Sequence, residues 1–387
     1  MNGIRFESRE SLPTWLAYSL PIFTILAALA VGAVPLIALG VNPIDAYITV
    51  FFDQIIDTSD FSWSDPGIND IINIRGSTNV LVTAVPLFLA GLAVYIPLKA
   101  GLWNIGAEGQ LWVGAIVGTA IAVNVELSSI FLIPLMMVAA GFAAAIYGGI
   151  PGYLKAEHNV NEIISSLMLT FAAIQFAGYL LRGPMQGAGG QTASERLPDA
   201  ARLPTEFPIV GEISPRFNAG IFLIFFIAIL AYVLMNKTRL GYEITFIGAN
   251  PAAAVQAGIS KYRIYVITFV IGGFLAGLAG IIEIAGVQGR LFEGFSPDYG
   301  FTAIAVALLG RNGVFRVLLA ALFFALLTAG GVQLAAGTAA SSALIDVIVA
   351  LVILFLLTAE FFKTHRVTLE FGRFKNDPDD GVTEGPT

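Results

Sequence analysis

The chain has no cysteine and only two histidines, His158 and His365. Disulfide and thiolate chemistry are closed to it, and two widely separated imidazoles make no metal cluster. Charge is scarce too. Asp, Glu, Lys and Arg make up 12% of residues against 57% hydrophobic, with mean hydropathy +0.81. So little polar surface excludes a soluble domain and implies an all-α polytopic bundle in a lipid bilayer, read here as one transmembrane domain over residues 1–387. A formal charge of −7 argues against nucleic acid as a partner. No G-x-x-x-x-G-K-[ST] stretch occurs, so ATP must sit on another subunit. No Ser/His/Asp or His/Glu cluster falls in matching loops. The chain therefore reads as no enzyme, and no cofactor is expected.

What is present is apolar sequence in blocks, with 41 glycines to let helices pack closely. Ten spans are read: Leu20–Leu39, Val80–Leu98, Leu111–Val125, Ile130–Tyr153, Ile163–Leu181, Ala219–Met235, Ile264–Ala285, Phe301–Leu309, Val317–Leu334 and Ala343–Phe362. Leu20–Leu39 exceeds a signal-peptide core and lacks a small-x-small cleavage site, so it reads as an uncleaved first span. Phe301–Leu309 is too short to cross unless extended or re-entrant. Within the aspartate-rich segment Val41–Asn79, the stretch Ala46–Ile56 suits the membrane interface.

An even span count puts both termini on one side. With the termini inside, 14 of the 20 Lys and Arg fall on cytoplasmic segments, including the tails 1–19 and 363–387. The bias sets the orientation in the cell membrane. The longest external loop, 182–218, is rich in Gly, Pro and Ser/Thr and reads either as a lid or partner contact or as a plain connector.

A polar interruption at 237–263 breaks the apolar pattern. Asn250 can cap a helix, Pro251 suits its first position, Ala252–Ala257 propagate it and Gly258 can end it left-handed. Lys237, Arg239, Lys261 and Arg263 flank it, which places it in the cytoplasm as a docking element, the alternative being an ordinary connecting loop.

The hexapeptide FLAGLA occurs at Phe88–Ala93 and Phe274–Ala279, once in an inward span and once in an outward one. Each copy precedes a Gly-rich polar interruption, Lys99–Gln110 and Ala285–Gly300, which is the layout of an inverted repeat. Such interruptions often line a solute path, because unwound backbone offers hydrogen-bonding groups. The candidates for that path are Trp103, Asn104, Glu108, Gln110, Glu283 and Gln288. Two readings stay open for the acids. Glu108 either lines the path or caps a re-entrant turn, and Glu283 and Asp346 either line it or make structural hydrogen bonds. Lys99 and Glu162 sit near inner ends and read as snorkelling or capping groups.

Four ordered stretches carry a resemblance: GLWNIGAEGQL (101–111), NVNEIISSLML (159–169), IGANPAAAVQAGI (247–259) and FSPDYGFTAIAVALLGRN (295–312). The chain resembles the permease subunits of bacterial and archaeal ABC importers for nucleosides and simple sugars, and NIGAEGQ is similar to the nucleoside type. The resemblance implies a second permease, two cytoplasmic ATPase subunits and an extracytoplasmic solute-binding protein as partners. It also makes 247–259 the coupling helix, with Asn250, Pro251, Ala253, Ala254, Gln256 and Gly258 at or shaping the ATPase contact. Trp103 stands where phenylalanine is expected. An ion-coupled secondary transporter would also explain inverted repeats and would need no ATPase. A non-transporting scaffold would leave the interruptions unexplained.

Overall fold

The computed structural model describes residues 3–8, 14–56, 73–207, 211–212, 214, 216–337 and 342–370. Most of the aspartate-rich segment and the end of the tail lie outside the described residues.

In chain order the helices are α1 (Thr14–Ala38), α2 (Pro43–Phe51), α3 (Ile74–Lys99), α4 (Ala107–Asn124), α5 (Ser129–His158), α6 (Glu162–Leu181) and α7 (Gly220–Lys237). There follow α8 (Arg239–Ala249), α9 (Pro251–Gln256), α10 (Lys261–Glu283), a π-helical turn (Ile284–Gln288), α11 (Tyr299–Leu309), α12 (Val314–Gly337) and α13 (Ser342–Thr364). Asparagines set several boundaries. Asn73 accepts from Gly76 N–H at 2.8 Å to start α3, and Asn161 accepts from Ile163 N–H at 2.9 Å to start α6. Asn159, left-handed at φ 52°, ends α5. An Asn-Val-Asn run can thus turn the chain through 180° between two spans because asparagine tolerates positive φ and caps well.

The helical bundle is as expected, but the expected ten spans are not reproduced. Among the described residues, six helices are long and apolar enough to cross a membrane: α3, α5, α6, α7, α10 and α12. The pair α1 and α2 makes a seventh if it is counted as one span bent by 120°. Of the three other expected spans two are short or polar helices, and the third, α13, counts as apolar only over Asp346–Leu356 among the described residues. Helix α11 has 11 residues, about 17 Å at 1.5 Å per residue, and α4 carries Glu108, Gln110 and Asn124. Helix α2, which overlaps the stretch suited to the interface, packs on α12. Val50 O would lie 2.3 Å from a Cβ at Gly330, and Gln54 Nε2 donates to Gln333 Oε1 at 2.6 Å.

The two FLAGLA helices, α3 and α10, cross at the centre and exchange partners. Helix α10 packs on α4 and α5, whereas α3 packs on α11 and α12. Each therefore leans on the short and the long helix that follow its twin. Glycine makes the crossings possible. A Cβ on Gly114 would sit 2.3 Å from Gly277 Cα, one on Gly273 2.3 Å from Ala144 O, and one on Gly280 2.1 Å from Leu111 O. Nothing larger than hydrogen fits there.

Strand β1 (Gly3–Ser8) pairs antiparallel with β4 (His365–Glu370), which joins the segment before α1 to the one after α13. Between α6 and α7, β2 (Glu206–Phe207) pairs with β3 (Gly211–Glu212).

Candidate functional site

A cavity of about 660 Å³ lies between α3, α10, α11, α12 and α13. Its charged and amide groups come from five separate places in the chain: Asn79, Arg216, Glu283 with Gln288, Asp298, and Asp346. The local fold explains each. Glu283 closes α10 and is 3% exposed. The π turn after it swings Gln288 back, so that Gln288 Nε2 donates to Glu283 Oε1 at 2.8 Å. Asp298 holds a left-handed conformation, φ 57°, at the start of α11, which an aspartate tolerates. Asp346, one of the three acids whose role stayed open, borders the same cavity. Sequence reasoning missed Arg216 and Asp298. Arg216 sits in a loop without pattern, and Asp298 resembles an ordinary cap. Among the described residues no group of three or more His, Cys, Asp or Glu is arranged to hold a metal.

The first interruption is built differently. Asn104, Glu108 and Gln110 are all 1% exposed or less and do not border the cavity. Asn104 and Gln110 form a reciprocal amide pair: Asn104 Nδ2 donates to Gln110 Oε1 at 3.0 Å and Gln110 Nε2 to Asn104 Oδ1 at 3.1 Å. Asn104 Nδ2 also donates to Ala93 O at 3.0 Å, tying the interruption to the end of the first FLAGLA copy. Glu108 Oε2 accepts from Gly300 N–H at 2.6 Å and Oε1 from Trp112 Nε1–H at 3.0 Å. The Trp112 ring packs edge-on against Phe295, with centroids 4.6 Å apart. Helices α4 and α11 thus meet at their N-termini with one carboxylate between them, where both helix dipoles favour negative charge. Trp103 is half-buried on the loop before α4 and does not border the cavity.

At the far end of α3 lies the polar interruption of 237–263. Asn79 and Lys99 are twenty residues apart on α3, or about 30 Å. Gly248 of α8 sits against Lys99 O, where a Cβ would approach to 2.0 Å. Asn250 Oδ1 accepts from Ala253 N–H at 3.0 Å, Pro251 opens α9, and Gly258 is left-handed at φ 82°. Ala254 is the exception to the expected contact surface. It is 0% exposed in the isolated chain, because α9 lies on its own neighbours through that side chain. The outward face is Pro251, Ala252, Val255 and Gln256, with Val255 53% exposed. Near that end, Lys155 Nζ pairs with Glu162 at 3.0 Å, and Lys99 Nζ lies 5.6 Å from the centre of the Tyr95 ring.

Comparison with known proteins adds the family. Residues 76–357 match the model of the branched-chain amino acid transport system permease component. The chain is 50% identical over 99% of its length to the glucose ABC transporter permease protein TsgB13 of Haloferax volcanii, of which it covers 98%. It is 29% identical to the guanosine ABC transporter permease protein NupP of Bacillus subtilis, over 88% of this chain and 92% of that one. The nucleoside ABC transporter permease protein NupB of Lactococcus lactis is 30% identical, over 80% of this chain and 82% of its own. These matches support an ATP-driven importer and not the ion-coupled alternative. The chain belongs to the branched-chain amino acid transport system permease family and is a multi-pass permease subunit of an ABC importer.

Proposed function

We propose that the chain moves a simple sugar, delivered by an extracytoplasmic solute-binding protein, in a complex with a second permease and two cytoplasmic ATPase subunits. The cavity carries this reading. Carboxylates, an amide and a guanidinium from Glu283, Asp298, Asp346, Gln288 and Arg216 converge on a space of about 660 Å³. Such a lining suits a neutral, hydroxyl-rich solute. One or two hydrogen bonds, each worth a net ~1 kcal/mol, hold it weakly enough to leave again. The glucose name of the full-length relative agrees. A nucleoside is the second reading, favoured by the NIGAEGQ stretch and the names of the two bacterial relatives. Glu283 and Gln288 are path residues in this proposal, whereas Asn104, Glu108 and Gln110 hold the frame.

Uptake by the reconstituted complex separates the readings. Radiolabelled glucose should accumulate only with ATP, survive an ionophore and be unaffected by excess guanosine. Competition by guanosine with no glucose uptake would select the nucleoside, and uptake driven by an ion gradient without ATP would overturn both.

The proposed orientation has Glu195 outside and Ala252 inside. In a chain without cysteine, Glu195→Cys should react with an impermeant thiol reagent on intact cells and Ala252→Cys only after permeabilisation. The opposite pattern would invert the topology.

A further inference from the structure

The π turn Ile284–Gln288 is one turn thick and has a cavity on each side. On one side is the polar cavity described above. On the other is a second cavity of about 630 Å³, lined by Asp199, Arg202, Thr205, Glu206 and the backbone of Gly286 and Gly289. Val287 borders both. Backbone that leaves the α-helical ladder needs other partners for its polar groups, and the 182–218 loop supplies them. Leu203 N–H donates to Ala285 O at 3.0 Å, Leu197 N–H to Gly289 O at 2.9 Å and Ser194 N–H to Leu291 O at 2.7 Å. Ser194 Oγ accepts from Leu291 N–H at 3.0 Å, and Asn218 Nδ2 donates to Gly286 O at 3.1 Å. Ala193 and Phe292 are partners in an antiparallel bridge, and Arg182 pairs with Glu293. The loop is therefore a strap laid along the wall.

We propose that the turn Ile284–Gln288 is a gate between an outer vestibule and the inner cavity, and that the strap 192–203 moves with it as one lid. This rests on the permease reading, since it places two chambers in series on the solute's route. Three features point the same way. Single π turns sit mostly inside α-helices and frequently at functional sites, and this one interrupts the apolar run between α10 and α11 where both cavities meet. The Glu283–Gln288 hydrogen bond closes the turn on the cavity side and can be released without breaking the α10 ladder. The Leu203–Ala285 bond borders the vestibule, and the strap bonds together fix the wall to a segment that faces the exterior in the proposed orientation.

The test uses the full complex with its ATPase and binding protein, in right-side-out vesicles. Val287→Cys is first shown to transport unmodified, so an inert complex with either labelled glucose or labelled guanosine marks a failure of the importer reading instead. An impermeant methanethiosulfonate should then modify it from outside, cut uptake about tenfold, and react at rates differing about tenfold between the nucleotide-free and vanadate-trapped complex, as a gate that changes population requires. Equal rates in both states, or modification that leaves uptake unchanged, would overturn the gate. The pair Ala193→Cys and Phe292→Cys tests the strap, because antiparallel bridge partners lie within disulfide reach. Oxidation should leave uptake unchanged if strap and wall move together. Loss of uptake on oxidation, restored by reductant, would show that they part and overturn the one-lid arrangement.

Discussion

Glu108→Ala should remove most of the permease from the membrane rather than merely slow transport. The substitution leaves Gly300 N–H and Trp112 Nε1–H, which now bond the carboxylate at 2.6 and 3.0 Å, buried without acceptors. Each orphaned donor costs about 1–3 kcal/mol, against a total stability on the order of 5–15 kcal/mol. Gly300→Ala should do as much by a different route, since its Cβ would lie 2.2 Å from Glu108 N. Glu108→Gln should fall between, because the amide keeps one good acceptor and turns an NH₂ towards a donor. Immunoblots of membranes and thermal unfolding in detergent measure the effect. A Glu108→Ala permease with normal level and melting temperature but altered uptake would instead make the carboxylate a group that meets the solute.

The second large effect is expected at α9. Val255→Asp places a charge at the exposed apolar position of α9, 53% exposed in the isolated chain. If α9 docks in a groove of the ATPase, an anchor of this kind is worth about 2 kcal/mol or more, roughly a thirtyfold loss of association at 1.4 kcal/mol per decade. Permease level should be normal while co-purification of the ATPase and uptake both fall. Ala254→Arg should behave differently and lower the permease level, because that side chain is packed inside the loop. Normal uptake and normal association in Val255→Asp would remove α9 from the interface.

Local chemistry made some of this legible. The Asn250-Pro251 start and the Gly258 end of α9 were readable because capping depends on residues three or four positions apart. The abundance of glycine, read as close helix packing, likewise turned into helix crossings at α4, α5 and α10. What was not legible depends on distance. Glu108 and Gly300 are 192 residues apart, so no periodicity reveals that Glu108 spans two helix ends. Arg216 and the strap bonds of Ser194 and Leu197 come from loop sequence whose pattern is only compositional. Ala254 was misplaced on the contact surface because a six-residue helix gives too little pattern to tell its inner face from its outer one.

The partner exchange between the two FLAGLA helices also bears on how the chain is made. When the last residue of α5 has just been added, α10, the helix that fills the space between α3, α4 and α5, is still more than a hundred residues from synthesis. Until it arrives, Gly114 and Gly148 lack their α10 neighbours and the Glu108 carboxylate has no Gly300. The early helices must therefore wait in the bilayer as an unfinished set, and the final structure forms in one late event. Chains that stall before α10 are natural targets for membrane proteases, and slow synthesis of the last third should lower yield more than slow synthesis of the first.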